Sequence, residues 1–218
     1  MNPLLIPNNS KVRTNETHAK HVDFIKNNNN YDTLLIGDSL LENIKDNNEW
    51  LNCSVGGDGV EHLLYRMFYI NESLVSVLDN FKTIKNIVIL IGTNNTQKKN
   101  YGKNIYDGII NIVNNIKKIN NKIRIIVLGI PPRTKFGSDN KIRTKIVKII
   151  TLNTITCNNL LSQNKDDFEY YDISNDFATI TNNMYYINKE YYVDDVHFSD
   201  LGYSNLIPRI KNIINNNN

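Results

Sequence analysis

Three times in this chain a run of apolar residues long enough for one strand stops at a glycine and gives way to a helical spacing. The runs are Thr33-Leu34-Leu35-Ile36 before Gly37, Trp50 to Val55 before Gly56-Gly57-Asp58-Gly59, and Asn86 to Ile91 before Gly92. Consecutive apolar residues make a strand buried on both faces, as in a parallel sheet covered by helices. Lys122 to Ile130, stopped by Pro131-Pro132, and Phe168 to Ile173 read as two more strands. Between them, Val60 to Asn71 carries Leu63, Leu64, Met67 and Phe68 on one face, and Lys103 to Asn120 carries Ile105, Ile109, Ile112, Val113 and Ile116. Glu16 to Lys26, Leu40 to Asp46, Asp139 to Leu161 and Ser199 to Ile214 read as further helices. Strands and helices alternating in this way imply right-handed crossovers. They predict a doubly wound, flavodoxin-like α/β domain of three layers around a parallel sheet of about five strands.

With 218 residues and 40% hydrophobic content the chain can bury one sizeable core. Residues 16 to 214 are read as one domain, preceded by a loosely ordered arm over 1 to 15 and followed by a disordered Asn tail over 215 to 218. The net charge of +3 comes with Lys and Arg dispersed among acidic residues, so nucleic acid is not an expected partner. Cys53 and Cys157 fit neither a disulfide framework nor a metal-ligand spacing, and are expected to be buried in a protein of a reducing compartment, the cytoplasm. The apolar patch in MNPLLIPNNSK is too short for a signal core or a membrane span, so neither export nor stable membrane insertion is expected. His18 and His21 are placed on the surface of the first helix. Asn-x-Ser/Thr triplets at Asn8, Asn15 and Asn71 are read as chance in a chain so rich in asparagine.

In open α/β sheets ligands bind beyond the carboxyl ends of the strands. The Gly37-Asp38-Ser39 corner would set a hydroxyl near a helix N-terminus, where free N–H groups favour developing negative charge. Asp38 or Ser39 could equally be only the cap of a helix beginning at Leu40. Directly before the last helix stands Asp194-Asp195-Val196-His197. An aspartate three residues before a histidine can fold back to accept the imidazole Nδ1–H and leave Nε2 as a base, with Asp195 the local rival for that role. Ser199 is the expected N-cap of the helix that follows.

Taken in order, Gly37-Asp38-Ser39-Leu40, the Gly57-Asp58 corner, Gly92-Thr93-Asn94 and Asp194-x-x-His197 resemble the four blocks of the GDSL, or SGNH, hydrolases. Within that superfamily the chain is most similar to the intracellular platelet-activating-factor acetylhydrolase catalytic subunits. The matches extend to Gly56-Gly57-Asp58-Gly59 with His62, Leu64 and Arg66, to Asn95, to Val127-Leu128-Gly129 with Pro132-Arg133, and to Leu201-Gly202-Tyr203. The chain departs from these subunits at Cys53, Ser54 and Tyr65. The resemblance implies Ser39 as nucleophile, His197 as general base and then acid, and Asp194 as the residue orienting His197. It implies an oxyanion hole of the Ser39 and Gly57 backbone N–H groups and the Asn94 amide. It sets Leu40 and Val196 against a short acyl group such as acetyl, counts Thr93 among the substrate-binding residues, and requires no metal or organic cofactor.

The expected activity is hydrolysis of a small-molecule or lipid ester through an acyl-serine intermediate. A carbohydrate O-acetylesterase is an alternative. So is a protein of the same fold that has lost turnover and acts by association, since the related subunits pair with each other and with a β-propeller regulator, which leaves a homodimer open. A nucleotide- or phosphate-binding domain fits worst, because Gly56-Gly57-Asp58-Gly59 matches neither G-x-G-x-x-G nor a P-loop.

Overall fold

Five parallel strands stand in the order β2-β1-β3-β4-β5, with β1 Thr33–Gly37, β2 Leu51–Asn52, β3 Asn86–Leu90, β4 Arg124–Leu128 and β5 Glu169–Tyr171. The computed structural model describes residues 2–28, 30–44, 49–70, 83–164, 167–181 and 184–216. The centre of the sheet is the β1/β3 pair, in register from Thr33 opposite Asn86 to Gly37 opposite Leu90. The strand order reverses between these two, so the crevice for a ligand opens at the ends of β1 and β3. Gly37 is required there: a Cβ would sit 2.1 Å from the Leu90 carbonyl oxygen.

Side-chain alternation along the strands divides the core into two layers. Leu34, Ile36, Ile87, Ile89, Ile125 and Val127 face a layer built by α1 (Val12–Asn27), α3 (Val60–Phe68), α4 (Gly102–Ile119) and α5 (Thr144–Gln163). Leu35, Val88, Leu90, Ile126 and Leu128 face the other, built by α2 (Ser39–Glu42), α6 (Asp200–Asn215) and the aromatic group Phe177, Tyr192 and Phe198. Phe177 stacks on Phe198 with ring centroids 4.2 Å apart. These layers are the doubly wound arrangement read from the sequence. Cys53 and Cys157 are both fully buried, as expected.

Several segments differ from expectation. The regular ladder of β2 covers only Leu51–Asn52, yet the chain stays beside β1, with Cys53 N–H on the Leu35 carbonyl at 2.8 Å and Val55 N–H on the Gly37 carbonyl at 3.0 Å. α5 begins at Thr144 rather than Asp139, because Phe136 and Ile142 bridge across a tight reversal that puts Asn140 at a φ of 57°. β6 (Ala178–Thr181) and β7 (Met184–Ile187) pair as an antiparallel hairpin where only a polar, aromatic-rich stretch was expected. The expected loose arm is instead tied down: Pro3–Leu5 is a turn of 3-10 helix capped by Asn2, Leu4 is 1% exposed, and α1 starts at Val12. His18 is buried, not a surface residue, because its face of α1 turns inward. Of the expected tail, Asn215 closes α6, while 217–218 lie outside the described residues. The expected helix ends at Asp46 and Asn71 also fall outside them.

Candidate active site

β1 ends at Gly37, and Ser39 is the first residue of α2. The open question of the cap resolves in favour of Asp38, whose Oδ1 accepts the Leu40 N–H at 3.0 Å. Ser39 is thereby left at a position whose N–H has no intrahelical acceptor, with its hydroxyl directed at His197. The Asp38 side chain is fully buried, and its Oδ2 has no partner among the described residues. Burial pushes its carboxyl up to about 7, against the opposing pull of the Leu40 N–H.

The His197 ring bridges two partners, with Nε2 3.0 Å from Ser39 Oγ and Nδ1 2.7 Å from Asp194 Oδ2. Asp194 Oδ1 accepts the backbone N–H groups of Val196 and His197, both at 2.7 Å, which folds the loop back as the Asp-x-x-His spacing requires. Partial burial raises the Asp194 carboxyl, but the ring and the two N–H groups outweigh it and hold the group below its ordinary value. A carboxylate on Nδ1 selects the tautomer with hydrogen there and leaves Nε2 to accept the serine proton. Asp195 turns elsewhere: its Oδ2 meets Lys135 Nζ at 3.0 Å and Phe136 N–H at 3.3 Å. Ser199 caps α6 as expected, accepting the Gly202 N–H at 3.2 Å.

Two glycine corners flank this pair. Gly57 has a φ of 78°, a left-handed conformation that a side chain would strain. Asn94, exposed in the 3-10 turn Thr93–Asn95 after β3, donates its Nδ2 to the Asp58 carbonyl at 2.8 Å. One amide hydrogen thus holds the neighbouring corner and the second is directed away from it. Leu40 and Val196 fall in one apolar cluster beside the site, Leu40 almost wholly covered. Thr93 is buried at 1% exposure, with Oγ1 unpartnered among the described residues.

The sequence did not reveal what holds these loops together. Arg66, fully buried on α3, meets Asp58 Oδ2 at 2.9 Å, the Cys53 carbonyl at 2.8 Å and the Gly37 carbonyl at 3.3 Å. Asp58 Oδ1 takes the Thr14 hydroxyl at 2.6 Å. One ion pair therefore joins the end of β1, the strand beside it, the Gly57 corner and α1. The available signal was an arginine within the apolar run Leu63, Leu64 and Met67.

A cleft of about 1130 Å³ opens at the opposite strand ends, beside Trp50, Lys85 and Arg124, and two of its cations are paired: Arg124 holds Glu169 and Lys211 holds Glu49. Among the described residues no cluster of His, Cys, Asp or Glu could hold a metal ion, and no helix is long and apolar enough to cross a membrane.

No family model matches the chain. It is 27% identical over 192 residues to the human platelet-activating factor acetylhydrolase IB subunit alpha2, an alignment covering 84% of this chain and 76% of the relative. Among solved structures it is similar to a GDSL-like lipase from Bacteroides thetaiotaomicron, with a TM-score of 0.66 and 17% identity over 92% of this chain and 96% of that one. An acetyl xylan esterase superposes with a TM-score of 0.59 at 13% identity, over 84% of this chain and 99% of that one. At these identities the superpositions carry the fold, which is that of the SGNH hydrolases, and the sequence resembles the acetylhydrolase alpha subunits.

Proposed function

We propose that this SGNH-type hydrolase is a serine esterase that removes a short acyl group, acetyl being the best fit, through an acyl-serine intermediate. The observation that carries the reading is His197, within hydrogen-bond reach of Ser39 through one ring nitrogen and of Asp194 through the other, at the strand ends where the sheet reverses.

Ser39 Oγ attacks the ester carbonyl as its proton passes to His197 Nε2, and Asp194 stabilises the imidazolium. The tetrahedral oxyanion is received by the N–H groups of Ser39 and Gly57 and the free hydrogen of Asn94 Nδ2. His197 returns the proton to the departing alkoxide as its C–O bond breaks. Water then repeats the sequence, with His197 as base, and releases the acid and Ser39. Leu40 and Val196 form the apolar wall against the acyl methyl, with Thr93 beside the ester. Cys53 and Cys157, both buried, suit a reducing compartment such as the cytoplasm.

A fluorophosphonate probe tests this reading. Labelling once per chain, at Ser39, and its loss in Ser39→Ala are expected, together with hydrolysis of p-nitrophenyl acetate in preference to longer esters. Stoichiometric labelling that survives in Ser39→Ala would refute the assignment.

A further inference from the structure

The segment entering α1 grips the turn that carries Gly57. Residues 55 to 58 form a β-turn closed by the Asp58 N–H on the Val55 carbonyl at 3.2 Å, and of its two central glycines Gly57 is the one at positive φ, the mark of a type II turn. The Gly57 N–H belongs to the central peptide of that turn. Its direction is set by torsions of Gly56 and Gly57, residues whose missing side chains let the backbone approach a substrate but offer little steric resistance to reorientation. The restraint has to come from outside the turn.

Three successive contacts supply it. Lys11 Nζ donates to the Gly57 carbonyl. The Arg13 guanidinium reaches Glu42 on α2 at 3.0 and 3.1 Å, passing so close to Gly56 that an added Cβ there would lie 3.1 Å from it. Thr14 anchors Asp58 through a buried 2.6 Å hydrogen bond. Among the described residues, Lys11 is the side chain bonded to the residue that supplies the donor. Its half-buried ammonium also sets a positive charge beside the corner toward which the oxyanion grows.

We propose that Lys11 is a positioning residue for the Gly57 oxyanion donor, fixing the glycine turn through its carbonyl so that the Gly57 N–H faces the reaction centre. The inference rests on the acyl-transfer reading above. It assigns a role in turnover to a part of the chain remote from every motif block. Because the oxyanion forms only as the reaction proceeds, Lys11 acts on the barrier and not on ground-state affinity.

The experiment compares wild type with Lys11→Met, Lys11→Arg and Lys20→Met, which removes the same charge from an exposed position on α1. Each is assayed on p-nitrophenyl acetate and titrated with a methyl trifluoromethyl ketone, whose serine adduct carries the oxyanion. Complete loss of one such donor costs about 10²- to 10³-fold, so displacing it costs less: about tenfold in kcat is expected for Lys11→Met, with KM near wild type. Ketone affinity falls by the same factor, Lys11→Arg recovers most of both, and Lys20→Met matches wild type. Unchanged kcat and ketone affinity in Lys11→Met overturn the proposal, as does an equal loss in Lys20→Met. A wild-type protein that neither hydrolyses the ester nor takes the fluorophosphonate label refutes the esterase reading instead.

Discussion

Asn94 Nδ2 donates to the Asp58 carbonyl at 2.8 Å, so the side chain proposed to receive the oxyanion is already fixed by the corner that carries the second donor. The proposed hole is thereby preorganised across two loops. Such donors are effective because they need no reorientation as charge develops.

Asn94→Ala should lower kcat by about 10²- to 10³-fold with little change in KM. Asn95 does different work: buried at 3% exposure, it accepts the Val60 N–H at 3.0 Å and donates to Glu61 at 2.8 Å. Asn95→Ala should cost about 1–3 kcal/mol of stability by leaving that N–H unsatisfied, with a milder effect on turnover. Steady-state kinetics and urea denaturation of both variants separate the two roles. Equal small losses of kcat would make Asn94 a loop residue.

Asp194→Asn should reduce kcat/KM by up to about 10⁴, because an amide on Nδ1 favours the wrong tautomer. Asp195→Asn loses contacts to Lys135 and Phe136 and should have a small effect. His197→Ala should be nearly inactive, and adding Asp194→Asn to it should change little, since residues acting as a unit are not additive. Activity on one short ester, with circular dichroism to confirm folding, checks the set. Collapse in Asp195→Asn beside a healthy Asp194→Asn would reverse the assignment.

Asp38 gives the protein a pH dependence of unusual sign for a carboxylate. Its ordinary value is 3.8 and burial raises it to about 7 in the fold, so between those limits the folded state holds more protons than the unfolded. The stability it contributes is complete below the lower value and is lost as pH rises through the upper one. His21, which burial lowers to about 4, has the opposite slope, losing stability as pH falls below its ordinary 6.5. Asp38→Asn keeps an oxygen for the Leu40 N–H and removes the titration. Its unfolding free energy should therefore gain on that of wild type as pH rises from 4 to 8. A constant difference across that range would show that Asp38 stays ionised.

Arg66→Met should destabilise the fold by about 3–5 kcal/mol, because it leaves Asp58 buried without its ion-pair partner. Removing both charges in Arg66→Met/Asp58→Asn should recover part of that loss. Chemical denaturation of the single and double variants measures it, and a double variant no more stable than the single one would mean that the carbonyl contacts of Arg66 dominate.

The sheet and the Asp194–His197 step were legible because both are local signals, apolar runs stopped by glycine and a three-residue spacing, whereas the pairing of His197 with Ser39, 158 residues away, was implied only by the resemblance. What escaped depends on contacts between distant segments. Nothing in Pro3–Leu5 or in Lys11 announces that it packs against the α3 corner, and only the folded chain shows His18 turned inward on a weakly patterned helix. The second half of the Phe136 to Ile142 reversal fell inside the helix expected from Asp139, since a bridge between residues six apart leaves no periodic signal of its own. The β6/β7 hairpin lacks a two-residue Gly turn to mark it.

The sheet also acts as a partition through the chemistry. The layer holding α3 and Val60, Leu63 and Leu64 supports the Gly57 corner, whereas the layer holding α2, α6, Phe198 and Leu206 supports the proposed nucleophile and base. Repacking on one side therefore adjusts how charge is received, and repacking on the other adjusts how the proton is moved. The two halves of the proposed site are thus tuned from separate hydrophobic compartments, with Arg66 the polar link between them.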